Sequence, residues 1–456
     1  MSRGKRARRD GDPAAPTREP LPRREPASAA AHSHGHSHSH AHSHASGGVA
    51  APVGRRARTV LAALTGALLL ATAIGVAMLW PGPDARVDSA EFLAPGVEIV
   101  PATVTSTSPA ASADEIAVIE AVGRAAPLED RTLSVEVPPG VASGGIHEGD
   151  RIRVLSVGDP SGESGEAGGE GAEIGGDGAQ ALYYFDHDRT LPLGILLLAY
   201  LLLVALVARG SGLRAMAGLA AGVAIVLWFM LPAIFAGENA VLVALVAASA
   251  MIFPCVYFAH GISVRTTTAV LGTFGGIAVT VLIALAAGRP TGMTGADGEA
   301  AQILYSTHPH LSLSTVFLAG VIISGLGALN DVTITQASSA WELRAAMPQA
   351  SRLEVFTATM RIGRDHIAST VYTLAYAYIG SALPLLMYAS TINRSLMDTL
   401  TSGEIAAEIF RTLIASIGLV LAIPLTTAIA AALATRPTQE QGRSRRRQLE
   451  ERLARF

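Results

Sequence analysis

The residues that could do chemistry in this chain are few and lie in apolar surroundings. Ser324, Gly327, Asp331, Thr335, Ser338 and Glu342 recur at spacings of three and four, so on a helix they share one face. Asp365, Ser369, Tyr372, Tyr376 and Gly380 do the same in a later run, with Arg361 four residues before Asp365 and Arg364 beside it. A carboxylate in a lipid-spanning helix is costly unless it meets a wet cavity, a partner charge or another helix. One whose protonation changes between two accessible surroundings is what a proton or cation carrier needs. These faces, with Asn330, are therefore candidate transport-path residues: Asp331 as the proton- or cation-binding carboxylate, Asp365 held by Arg361 or Arg364. The competing reading is architectural. Ser324, Gly325 and Gly327 permit close helix packing, Asp331 ends a span at the interface, and Arg361 pairs with Asp365 there.

A second kind of chemistry is metal binding. His32, His34, His36, His38, His40, His42 and His44 alternate with small residues, and neutral imidazoles so spaced suit zinc or nickel; a drifting tail that binds metal incidentally is the other reading. Asp186-His187-Asp188 and His308-Pro309-His310 each precede an apolar run at the same membrane face, so a shared divalent-cation site is one expectation and solvated loops the other. No resident cofactor is expected. Cys255 is the single cysteine, Lys5 the single lysine, and H-E-x-x-H, G-x-S-x-G and Walker A patterns do not occur, so an enzyme is not expected.

The elements that must position these residues belong in lipid. Half of the 456 residues are hydrophobic and 16% charged, against roughly 25% charged in soluble proteins. Apolar runs of about 20 residues, enough to cross a hydrocarbon core of about 30 Å, extend from Thr59 to Trp80, Thr190 to Ala208, Leu213 to Phe235, Asn239 to Phe258, Thr266 to Ala287, Ser312 to Ile334, His366 to Tyr388 and Ile409 to Ala434. The fold class is thus an all-α transmembrane bundle of about eight spans. The first run follows a basic leader too long for a cleavable signal peptide, and reads as a signal anchor. With both termini cytoplasmic, Arg209, Arg265, Arg344, Arg352, Arg361, Arg364 and the Arg-rich tail all fall inside, as the positive-inside rule asks. The location is the bacterial cell membrane.

The soluble parts divide by composition. Residues 1–58 form a basic, His-rich tail expected to lack structure, 59–80 the anchor, and 435–456 a second basic tail. In 81–157, VEIVPATVTST, RTLSVEVPPG and DRIRVLSV alternate apolar and polar residues, which predicts a small extracytoplasmic β-rich domain with a tight turn at Glu148-Gly149-Asp150. Residues 158–189 read as an acidic Gly-rich linker tethering it to a seven-span domain, 190–434. Within that domain 335–365 reads as a cytoplasmic connector, in which Ser351-x-x-Glu354 opens an amphipathic helix lying on the inner membrane surface. Gly218-x-x-x-Gly222 and Gly272-x-x-x-Gly276 are small-residue packing motifs.

The block GLGALNDVTITQASSAWEL from Gly325, RIGRDHIASTVYTLAYAYIGSALPLL from Arg361, and SIGLVLAIPLT from Ser416 resembles the YibE/F family of bacterial multi-pass membrane proteins. The resemblance implies a polytopic helical protein with an extracytoplasmic β-rich insert, and places the family motif on Asn330, Asp331, Glu342, Gly363, Arg364 and Asp365. It implies no activity, since none is established for the family. Taken together, the residues point to an ion- or proton-coupled secondary permease. Its partners would be the bilayer, a small solute and a coupling ion, with no nucleic acid. The alternative is an envelope scaffold acting on an extracytoplasmic protein partner.

Overall fold

A computed structural model describes residues 54–82, 97–107, 116–126, 128–157, 181–392 and 394–434. The tails, including His32 to His44, lie outside the described residues.

The extramembrane part is a closed barrel of five strands, ordered β1-β2-β3-β5-β4: β1 (Val97–Thr107), β2 (Ala117–Gly123), β3 (Thr132–Val137), β4 (Arg151–Val157) and β5 (Ala181–His187). The two-residue period seen in the sequence sets the faces. Along β3, Leu133, Val135 and Val137 are buried while Thr132, Ser134 and Glu136 are exposed. The long β1 pairs with both β2 and β4, and a bulge between Val104 and Ser106 bends it around the barrel. β3 and β5 pair in parallel, and a short helix, α2 (Pro139–Gly145), joins β3 to β4 with Val141 and Ala142 against the barrel core. This is the arrangement of an OB-fold barrel.

Ala181–His187, expected to belong to the linker, is instead the closing strand. Leu182 and Tyr184 pack on the core and Tyr183 and Phe185 face out, so the run ALYYF is apolar on both faces and shows no alternation. The acidic segment 158–180 therefore interrupts the barrel between β4 and β5. From β5 only Asp188 and Arg189 separate the barrel from the membrane helix that begins at Thr190.

Among the described residues six helices are long and apolar enough to cross a membrane, or up to seven if one bent pair counts as a single span. The first is α1 (Arg55–Met78); the others lie in α3 (Thr190–Ile225) with α4 (Leu231–Phe235), α5 (Ala240–His260), α6 (Val264–Gly288), the pair α8 (Leu313–Ser324) and α9 (Leu326–Ala346), and α13 (Gly403–Leu433). The short α7 (Glu299–Thr307) and α12 (Leu396–Leu400) lie between them, and α10 (Arg352–Ser381) with α11 (Leu383–Thr391) is the bent pair.

The count differs from eight at two places. α3 and α4, joined through a π turn at Val226–Met230, form one 46-residue element that covers two expected spans. Drawn straight, that element would be about 69 Å long, more than twice a hydrocarbon core. It is not straight. Arg209 has φ 52° and ψ −142°, and a Cβ on Gly212 would lie 2.7 Å from a methyl of Val204. Residues eight apart are about 12 Å apart on a straight helix, so the chain turns sharply at Arg209. The second place is the 59° bend between α10 and α11, where Pro384 in the first turn of α11 lacks the N–H that would continue the helix.

The connector is also different from the expectation. The Ser351–Glu354 capping box is present, but the helix it opens runs without a break for 30 residues, through the expected start of the next span. α9 likewise continues to Ala346, so α9 and α10 form a hairpin closed by residues 347–351. The hairpin is held by packing: Val355, Thr359 and Gly363 of α10 are buried, Gly363 against Ile423 of α13.

The main core lies among α5, α6, α8, α9 and α13, with Val243, Ile252, Ile277, Ile322, Leu329 and Leu419 buried. In α3, Gly218 lets the backbone approach Pro254 of α5, where a Cβ would sit 2.9 Å from the proline carbonyl oxygen. Two ends of the bundle are distinguishable. At one, Trp80 stacks on Phe229 with centroids 6.0 Å apart and His310 Nε2 lies 3.1 Å from the Phe235 carbonyl. At the other, Arg265 pairs with Glu342 at 3.8 Å and Trp341 packs beside Ala434.

Candidate functional site

At the end of the bundle marked by His310, the loop after α6, α7, the N-terminus of α13, α8 and the α10–α11 bend line an open cleft of about 550 Å³. Its charged lining is Asp297, Glu404, Glu408 and Arg411, and its apolar walls include Phe317 and Leu385. Arg411 Nη1 donates to Glu408 Oε1 at 2.6 Å, three residues earlier on α13, and its guanidinium carbon lies 5.3 Å from the centre of the Phe317 ring. Arg411 Nε is buried without a hydrogen-bond partner. Asp297 and Glu404 are exchanged between segments: a Cβ on Gly403 would strike the Asp297 carboxylate, and one on Gly298 would come within 3.0 Å of that of Glu404. Each carboxylate thus sits near the start of the other segment's helix, where the backbone dipole favours negative charge. The cavity carries three carboxylates and one guanidinium between apolar walls. That lining can hold a small solute bearing a positive group, or groups of both signs.

The expected stripe residues are elsewhere. Gly327, Asp331 and Glu342 of α9 and Arg361, Arg364, Asp365, Ser369 and Tyr376 of α10 are exposed, while Ser324, Asn330 and Thr335 are half-buried. Ser324 turns its hydroxyl onto the Val321 carbonyl, and Asn330 Oδ1 is buried without a partner. Glu342 is engaged by Arg265, and no ion pair joins Arg361 or Arg364 to Asp365 among the described residues.

What α9 and α10 bury instead is a neutral junction. Gln336, 1% exposed, donates from Nε2 to the Thr359 carbonyl at 3.0 Å and to Thr427 Oγ1 at 2.8 Å, tying α9 to α10 and α13. The hydroxyls of Thr273 and Thr333 meet at 2.7 Å between α6 and α9. Because Gln336 sits level with residues 359–363 in an antiparallel hairpin, Asp331 and Asp365 fall at about the same height.

The two His-Asp triplets do not form a joint site, and among the described residues no group of three or more His, Cys, Asp or Glu could hold a metal ion. The His308 ring packs tilted against Phe235 with centroids 5.0 Å apart and His310 bonds the Phe235 carbonyl, so this triplet closes the end of α4. In the other, Asp186 accepts from Arg189 at 2.6 Å and from the His187 backbone N–H, which together hold its carboxyl below the usual range. The Asp188 carboxyl is lowered by hydrogen bonds from the Thr190 hydroxyl and the Thr190 backbone N–H, and the His187 ring lies between Tyr184 and Asp150.

Sequence reasoning passed over Asp297, Glu404, Glu408 and Arg411 because it assigned them to loops and span ends. The signal was Arg411, a charge two residues inside an expected span with a carboxylate at i−3. No curated protein and no solved structure matches the chain. Residues 196–436 match the family model described as YibE/F-like protein, and since that is more than half of its 456 residues the chain belongs to the YibE/F family.

Proposed function

We propose that the protein is a secondary permease of the bacterial cytoplasmic membrane that couples movement of a small solute to an ion or proton gradient. The observation that carries this reading is the charged cavity bordered by a broken helix. Irregular backbone at membrane depth is tolerated where it lines a cavity, and discontinuous helices border the binding sites of many transporters. Solute contact is assigned to Glu404, Glu408 and Arg411 rather than to Asp331 and Asp365, which face away from the bundle. The proposed topology has eight crossings, with α3 counted as two about Arg209, α10–α11 as one, α1 as a signal anchor and both termini cytoplasmic. The cavity then opens on the extracytoplasmic side. The His-rich tail, if it takes zinc or nickel, does so on the cytoplasmic side.

The test compares cellular and medium solute profiles of a deletion strain carrying the wild type, Glu404→Gln or Glu408→Gln at equal membrane abundance. A solute whose level shifts in the deletion strain should be restored by the wild type and at least ten-fold less by the variants. Full restoration by both variants would remove the cavity from the mechanism.

A second reading, an envelope scaffold, is favoured by the outward apolar side chains Val157, Tyr183 and Phe185 on adjacent strands of the barrel. Replacing residues 97–187 by a short linker separates the two. Flux survives under the permease reading, and envelope integrity fails with solute profiles unchanged under the scaffold reading.

A further inference from the structure

Two long helices leave a face of the bundle uncovered, and the two faces differ in kind. The first arm of α3 exposes Leu193, Leu196, Leu197, Leu202, Leu203 and Leu206, a surface that lipid satisfies. α10 is turned the other way. Its apolar Val355, Met360, Ile367 and Leu374 pack inward, while Arg361, Arg364, Asp365, Ser369, Tyr372, Thr373 and Tyr376 are exposed. Ser369, Thr373, Tyr376 and Gly380 follow one another at three- and four-residue steps, and with the charged turn below them the face extends about 28 Å along the helix. Thr373 returns its hydroxyl to the Ser369 carbonyl, whereas Tyr372, Tyr376 and the charged turn have no such partner among the described residues. Charged and polar side chains in a membrane helix face another helix or water, not acyl chains.

We infer that this face of α10 is the contact between two copies of the chain, related by a two-fold axis along the membrane normal. Both copies insert with one topology, so the two α10 helices run parallel and equal heights meet. An isologous contact has to be self-complementary, and this one is: Arg361, Arg364 and Asp365 lie within one helical turn, so each copy's carboxylate meets the other's guanidinium groups. Above the charges, Ser369, Thr373 and Gly380 allow close approach and the tyrosine hydroxyls have acceptors within reach. The inference needs only that α10 crosses the membrane and does not depend on the permease reading.

The chain's single cysteine permits a clean test. In a Cys255→Ser background, single cysteines are placed at Ser369, Thr373 and Tyr376 on the face, at Leu374 on the packed side, and at Leu198 on α3, then oxidised in native membranes. Cross-linked dimers should form at 369, 373 and 376 with at least ten times the yield at 374 or 198, and Asp365→Arg should lower the yield at 369 more than ten-fold without lowering membrane abundance. Equal yields at all five positions, no dimer at any of the three, or adducts with a different protein would each overturn the inference. Cysteine accessibility at residue 394, reached from the medium only if α10 crosses, separates failure of the dimer from failure of the span assignment.

Discussion

Replacing Gln336 by Leu keeps bulk at the α9–α10–α13 junction and removes the amide that joins the three helices. The native amide makes two bonds, of 3.0 Å to the Thr359 carbonyl and 2.8 Å to Thr427 Oγ1, at a site 1% exposed. Interhelical hydrogen bonds in helical membrane proteins average about 0.6 kcal/mol and reach about 1.7, so the pair contributes about 1–3 kcal/mol. The cost should stay in that range because Thr427 still donates to the Ile423 carbonyl and no buried charge is uncovered. Thr427→Val, close to isosteric, removes one of the two bonds, so the double variant should be less destabilised than the sum of the singles by about 0.6–1.7 kcal/mol. Reversible unfolding in mixed micelles, or steric trapping in bicelles, measures all four proteins. A coupling energy within about 0.3 kcal/mol of zero, or a Gln336→Leu protein as stable as the wild type, would refute the junction's role in holding the hairpin upright.

Three other outcomes follow from the same geometry. Gly123→Ala would drive a Cβ into the Leu128 carbonyl oxygen, a backbone atom that cannot rotate away, so the barrel should lose about 1–3 kcal/mol; hydrogen exchange of the full chain should rise in β2 and β3, and unchanged exchange there would count against the described turn. The Asp186 carboxyl is held below its usual range by Arg189 and the His187 N–H, so its contribution to the fold is present at neutral pH and lost as the pH falls through the lowered pKa. In Arg189→Gln its titration midpoint, followed by carboxyl NMR, should move up toward the ordinary value; a midpoint that stays put contradicts the pairing. Gly210→Cys in a Cys255→Ser background should react with an impermeant maleimide only from the cytoplasmic side if α3 crosses twice. Labelling from outside would make α3 a single bent span.

Much of this architecture was readable from local patterns, and the failures share a cause. The two-residue period in β1, β3 and β4 announced strands because one face of each is solvated, whereas β5, with aromatic residues on both faces, presented a bare apolar run next to a Gly-rich segment. Spans were legible as runs of about 20 apolar residues, but which face each turned inward was not. The Asp331 stripe is split, with Ser324 closing α8 and the rest lying on α9, and periodicity cannot tell a face turned to an internal path from one turned outward. Gln336 and Thr427, which do meet inside, are 91 residues apart and carry no shared spacing. The cavity depends on the loop at 297–298 and the first turn of α13 at 403–404 exchanging carboxylates, a contact between segments more than 100 residues apart that only the closed bundle creates.

The place of the acidic segment within the barrel bears on how the protein could be divided. α1 and β1 to β4 precede it, β5 and all the remaining membrane helices follow it, and β5 pairs with β3 and β4 across the gap. A break in the chain anywhere in 158–180 would therefore yield two polypeptides, each anchored in the membrane by its own helices, that reassemble by completing one another's sheet. Their pairing would need no new surface, since the two halves are already complementary by strand register, and the gene could be carried as two adjoining reading frames without loss of the barrel.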